Sequence, residues 1–254
     1  MARLGKNVGG YLGERIHIDA VIERILHSAR AKSWEIETET TTNGVSMQFL
    51  IRRGLPEARR IYISSGIHGD EPAGPMAMLQ LFEEDRWPRE LSLWIAPCLN
   101  PTGFPLNRRE NHDGIDLNRD YLHLRTPEVQ THTKWLLRQP AFDLAICLHE
   151  DWESNGFYLY ELNPDNLPSL ADSIVNVVSP ICPIESSDLI DGRHATRPGI
   201  IRPNLDPASR PEWPEAFLLV KHKTRLNYTF ETPSDFPLQM RVDALVTAVS
   251  RSLE

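Results

Sequence analysis

The chain has 254 residues, enough to bury a sizeable core, and its 41% apolar and 24% charged content is ordinary for a globular protein. No apolar run approaches the ~18 residues that span a bilayer, and the N-terminus lacks an apolar stretch of secretory type, so a cytoplasmic protein with no membrane partner is expected. A net charge of −8 argues against a nucleic-acid surface, which needs Lys and Arg clustered on one face.

In chain order, Ile16, Ile18, Val21, Ile22, Ile25 and Leu26 recur at the spacing of an amphipathic helix over residues 14–31. Residues 34–42 and 45–52 alternate apolar and polar side chains around Asn43-Gly44, a strong hairpin signal. Residues 61–65 read as a short buried strand, 72–84 as a helix and 91–97 as a second buried strand. Residues 127–138 read as a helix, with Pro127 and Glu128 in its first turn. The spacing then predicts strands over 143–148 and 157–162, a helix over 166–178, strands over 217–220 and 227–230, and a closing helix over 242–253. Residues 183–216, with Pro183, Pro198, Pro203, Pro207, Pro211, Pro214, Gly192 and Gly199, read as a long structured loop. Buried strands alternating with helices imply an α/β fold, one domain over 1–254, with a mostly parallel mixed central sheet flanked by helices and an antiparallel edge. Cys98, Cys147 and Cys182 show no CxxC spacing and are read as small buried hydrophobes.

Four segments carry chemistry. His68-Gly69-Asp70-Glu71 follows a predicted strand, and a His and a Glu three residues apart can converge on one metal ion, with Gly69 permitting the tight turn between them. The alternative for that pair is a capping or surface role. His149 ends a buried strand, either as a further ligand or as a hydrogen-bonded strand-end histidine. Arg108 to Asp120 gathers Arg, Asn and Asp, as a ligand-binding loop or a solvated one. Glu231 ends a late strand, where a carboxylate beside a metal-bound water could shuttle protons, or simply sit at a strand end. Two His and one Glu with a fourth position open is the ligand count of a catalytic zinc site.

The segments HGDE at 68–71, RENHDGIDLNRD at 109–120, His149, and TFETPS at 229–234 resemble, in that order, the zinc carboxypeptidase family. The resemblance implies one zinc ion held by His68, Glu71 and His149, with Asp116 orienting His68. It implies Arg109 polarising the scissile carbonyl, Asn118 and Arg119 gripping a terminal carboxylate, and Glu231 as base and acid. The implied reaction is hydrolysis of an amide bond beside a free carboxylate in a small peptide. The compact bacterial members, murein-peptide amidases and the related succinylglutamate desuccinylase and aspartoacylase branch, are the ones the chain resembles, and by that branch the alternative is deacylation of an N-acyl amino acid. Digestive-type members carry a lid tyrosine some twenty residues before the base. Here no tyrosine lies between Tyr160 and Tyr228.

Two charged stretches remain. Glu150, Asp151 and Glu153 around Trp152 read as a hydrated acidic turn or as a rim for a cationic substrate group. Arg193, His194 and Arg197 could instead select an acidic substrate.

Overall fold

The apolar runs become the interior strands of one twisted sheet. Residues 14–203 and 211–254 are described by a computed structural model. Ten strands occur among them, β1 (Glu35–Thr40), β2 (Ser46–Arg52), β3 (Arg60–Ser64), β4 (Ser92–Ala96), β5 (Leu144–Asp151), β6 (Tyr158–Leu162), β7 (Leu189–Ile190), β8 (Arg193–His194), β9 (Ile200–Ile201) and β10 (Asn227–Pro233). The helices are α1 (Ile18–Ala31), α2 (Ala73–Glu83), α3 (Pro127–Arg138), α4 (Ala171–Val178), α5 (Glu215–His222) and α6 (Leu238–Leu253).

Eight strands form a mixed sheet in the order β1-β2-β4-β3-β5-β10-β6-β9, and β7 with β8 makes a separate hairpin. The centre β4-β3-β5-β10 is parallel, while β1-β2-β4 and β10-β6 are antiparallel. This is the expected sheet, with the 34–52 hairpin as its antiparallel edge. Central parallel strands are buried on both faces, which is why they read as unbroken apolar runs. Ile61 and Ile63 face a core shared with α1, α2, α4 and α6, whereas Tyr62 on the alternate side joins a core built with α3 and α5. Each such buried Ile contributes about 1.5–3 kcal/mol of transfer free energy. The chain leaves β3 toward β4 on one side and returns in β5 on the other. That reversal opens a crevice at the carboxyl ends of the strands, where α/β sheets bind ligands.

Several boundaries differ from the sequence reading. Residues 217–220 lie inside α5 and are not a strand. All of Glu215 to Val220 is buried, so α5 shows no polar face to reveal its period, and a four-residue apolar run cannot distinguish strand from buried helix. β5 runs on to Asp151 and β10 to Pro233, so His149 and Glu231 sit within paired strand rather than at its end. The helix expected from residue 166 begins at Ala171, that from 242 begins at Leu238, and that from 14 begins at Ile18. The Pro-rich 183–216 stretch contains β7, β8 and β9, and its residues 204–210 lie outside the described residues. The three cysteines are buried and free, as expected.

Candidate active site

His68 and Glu71 stand on the loop between β3 and α2. Gly69 is needed here for space rather than for an unusual backbone turn. A Cβ on it would lie 2.2 Å from the Gly103 carbonyl carbon and 2.5 Å from the Phe104 nitrogen, so the loops after β3 and β4 touch through it. His149 comes from β5 and is in direct register with Glu231 on the parallel neighbour β10, so both side chains project from one face, side by side. Tyr158 of β6 faces Glu231 from the other flank.

The metal-ligand candidates converge. His68 Nδ1 lies 2.5 Å from Glu71 Oε1, and His149 Nδ1 lies 3.1 Å from Glu71 Oε2. One donor atom from each of the three residues falls within 4.8 Å of the others, and all three side chains are buried. His68 Nε2 faces Asp116 Oδ1 at 3.3 Å, while Arg109 Nη1 approaches His68 Nδ1 at the same distance. A guanidinium can only donate, so this contact requires a lone pair on Nδ1 and a proton on Nε2, which Asp116 accepts. Nδ1 and the Glu71 oxygen are then two acceptors face to face, an arrangement that calls for a positive species between them. The donor set of two imidazole nitrogens and one carboxylate fits a divalent metal ion of zinc type.

The charges of the three residues act strongly on one another. Burial alone would lift the Glu71 carboxyl, yet His68 and His149 hold it well below the usual carboxylate range. Burial depresses the His149 imidazole. On His68 burial is outweighed by Glu71 and by the Asp116 hydrogen bond, and the ring is raised. Asp116, opposed by its own burial, is held low by His68 and by Arg109, whose Nε donates to Asp116 Oδ2 at 2.8 Å. The Glu231 carboxyl is pushed well up by burial first and then by the nearby Glu71 and Asp151 carboxylates.

The polar loop is organised from within. Asn111, fully buried, accepts the N–H groups of Asp113 and Ile115 on Oδ1 at 3.1 and 3.0 Å and donates to Glu128 of α3. Asp116 accepts the Asn118 N–H at 2.8 Å, starting a short 3₁₀ turn over Leu117–Arg119. Asn118 Oδ1 accepts the Glu215 N–H at 2.9 Å, which leaves its amide NH₂ as the donor for a ligand. Arg119 Nη1 donates to the Asn118 carbonyl at 2.9 Å. A cavity of about 770 Å³, bounded by described residues, is shared by His68, Glu71, Arg109, Asn118, Arg119, His149 and Glu231. Every residue singled out for the site except Asp116 lines it, and Asp116 stands directly behind His68 and Arg109.

The two charged stretches resolve differently. Glu150, Asp151, Trp152, Glu153 and Arg193 all border the cavity, but Glu150 is no hydrated turn residue, since its carboxylate is buried against Arg241. Arg197 pairs with Asp172 of α4 at 3.0 Å, away from the cavity. Sequence reasoning missed Tyr158, Tyr160, Asp191 and Glu215, which also line it. The alternation of Tyr158 and Tyr160 in a strand was visible, but the register that turns them toward Glu231 was not.

Residues 21–141 match the family described as protein of unknown function, DUF2817. The chain is 34% identical over 104 residues to carboxypeptidase SOL1 of Arabidopsis thaliana, covering 33% of this chain and 21% of that protein. It is 28% identical over 106 residues to carboxypeptidase 2 of Trichophyton rubrum, covering 39% and 20%. The chain thus spans about a fifth of the length of these curated relatives. Among solved structures, a candidate metallopeptidase from Shewanella denitrificans OS217 superposes with a TM-score of 0.79 at 22% identity, covering 96% of this chain and 97% of that one. A metallo-carboxypeptidase from Pseudomonas aeruginosa, in complex with (2-guanidinoethylmercapto)succinic acid, gives 0.70 at 19% identity, covering 95% and 69%. Among the described residues no helix is long and apolar enough to cross a membrane. The fold is that of the metallocarboxypeptidases, and the sequence similarity to proteins named carboxypeptidases is partial, limited to a third or so of this chain.

Proposed function

We propose that the chain is a zinc-dependent hydrolase that cleaves an amide bond beside a free carboxylate in a small peptide. The observation that carries this reading is the register of Glu231 with His149, which sets a carboxyl group beside the His68–Glu71–His149 cluster inside a cavity that also contains Asn118 and Arg119.

The geometry is compatible with the following division of roles. His68, Glu71 and His149 hold one ion, and Asp116 fixes the His68 tautomer. A bound zinc supplies a water of pKa near ~7 and polarises a carbonyl. Glu231 takes a proton at its carboxylate and returns it to the departing amine, and its raised pKa suits it to hold that proton between the two transfers. Arg109, with Nη1 3.6 Å from Glu71 Oε1, stands where it can donate to the carbonyl oxygen as charge develops, a contribution of about 3–4 kcal/mol for a single donor. The Asn118 amide NH₂ and the Arg119 guanidinium bind the terminal carboxylate and orient the substrate. A cavity of about 770 Å³ has room for a small peptide.

The test is hydrolysis of dipeptides, murein tripeptides and tetrapeptides, and N-acetyl and N-succinyl amino acids by the zinc-loaded protein, with Glu231→Gln as control. Peptide cleavage lost in the variant is the expected result. Cleavage of the N-acyl compounds alone moves the chain to the deacylase reading, and cleavage undiminished in Glu231→Gln refutes the assigned base.

A further inference from the structure

Glu150 takes no part in the chemistry above. Alternation along β5 sends its side chain to the sheet face opposite that of His149. There its Oε1 accepts the backbone N–H of Ala73, the first residue of α2, at 2.5 Å, and its Oε2 pairs with Arg241 Nη1 from α6. Arg241 is 0% exposed; its Nη2 pairs with Glu14 and its Nε donates to the Phe236 carbonyl at 2.9 Å. The backbone N–H of Glu150 reaches the other way and donates to Glu71 Oε2 at 3.1 Å. One residue therefore touches the Glu71 carboxylate directly, pins the helix that begins two residues after Glu71, and is the chain neighbour of His149.

A buried ion pair contributes little net stability compared with apolar residues of the same volume, so a fully enclosed arginine at this point needs another reason. Glu71 and His149 are 78 positions apart in the sequence and belong to different segments. Their mutual placement depends on contacts between the start of α2 and the end of β5, and Glu150 makes two of those contacts. We propose that Glu150 and Arg241 form a positioning pair for the metal cluster, holding Glu71 and His149 at the spacing that one ion requires. The proposal rests on the reading of His68, Glu71 and His149 as metal ligands. A purely structural pair would affect folding stability alone, whereas a positioning pair sets the metal affinity of the folded protein, as outer partners of metal ligands do.

The experiment is competition of the full chain against a chromophoric zinc chelator, run beside thermal unfolding of the metal-free protein. Wild type is expected to bind one zinc, and His149→Ala to lose it. If wild type binds none, the metal reading and this inference fall together. With binding established, folded Arg241→Met and Glu150→Gln are expected to bind zinc about 10–100-fold more weakly, with kcat recovering at saturating zinc. Ile25→Val, in the core contact of α1, is expected to lower the unfolding temperature and leave zinc affinity unchanged. Wild-type affinity in both Arg241→Met and Glu150→Gln overturns the proposal while leaving the metal reading intact. Should Arg241→Met fail to fold, Glu150→Gln decides alone, because it keeps the carbonyl oxygen that accepts the Ala73 N–H.

Discussion

Replacing Glu215 by Gln should remove a pH dependence of stability that the fold builds in beneath the cavity. The carboxyl is 1% exposed, and burial pushes it up from 4.5 to about 7 even though Tyr62 and Ser64 donate to its two oxygens at 2.8 and 2.9 Å. Because Tyr62 donates to Glu215, its oxygen accepts from His132 Nε2 at 2.9 Å, and His132 Nδ1 accepts from Tyr121 at 2.7 Å. Burial holds that imidazole down at about 3, so it stays neutral and does not compensate the Glu215 charge. The folded protein keeps a proton that the unfolded chain releases above pH 4.5. The contribution of Glu215 is therefore fully present below 4.5, shrinks as pH rises through the window to about 7, and is gone above it. At about 1.4 kcal/mol per pH unit, the gap is worth about 3 kcal/mol. Urea unfolding of wild type and Glu215→Gln at pH 4.5 and pH 8 isolates this group, since all other titrations are shared by the two proteins. The stability difference should move by about 3 kcal/mol in favour of Gln between the two pH values. A difference that does not change with pH refutes the reasoning and means the carboxyl titrates alike in the folded and the unfolded chain.

Three further outcomes are expected. Gly69→Ala puts a Cβ 2.2 Å from the Gly103 carbonyl carbon, so the β3 and β4 loops must separate; urea titration should show a loss of about 1–3 kcal/mol, and an unchanged midpoint would mean the loops yield freely. Asp116→Asn turns an NH₂ toward Arg109 Nε or His68 Nε2, whichever it faces, so zinc affinity should fall about 10-fold or more and kcat/KM should fall with it. Stripping the metal with a chelator should abolish hydrolysis and lower Tm, with zinc restoring both; at a metal concentration 100 times Kd the stabilisation is about 2.7 kcal/mol, and a Tm indifferent to chelator contradicts binding at the cluster.

The site was more legible in the sequence than the elements around it. Every residue named for the ligand set, the base and the substrate carboxylate comes together in one cavity, because chemistry-bearing residues sit at sequence-local signals: a His and a Glu three apart after a strand, and polar residues packed into one loop. The α/β class and the antiparallel edge hairpin were equally legible, since side-chain periodicity and Asn43-Gly44 are local properties of the chain.

What the tertiary structure decided is everything that depends on pairing and burial. Residues 217–220 could be called a strand because their period is hidden when all sides of α5 are covered. Glu150 read as a hydrated acid because its partner, Arg241, lies 91 positions away on α6. Gly69 read as a turn residue, whereas its reason is the backbone of Gly103 pressed against it from another loop. The alignment of Glu231 with His149 and Tyr158 is a matter of strand register, and a shift of one residue would turn the base to the opposite face. Sequence thus determined which groups are present, through residue type and local spacing. Which groups face one another, and with what charge, followed only from long-range packing.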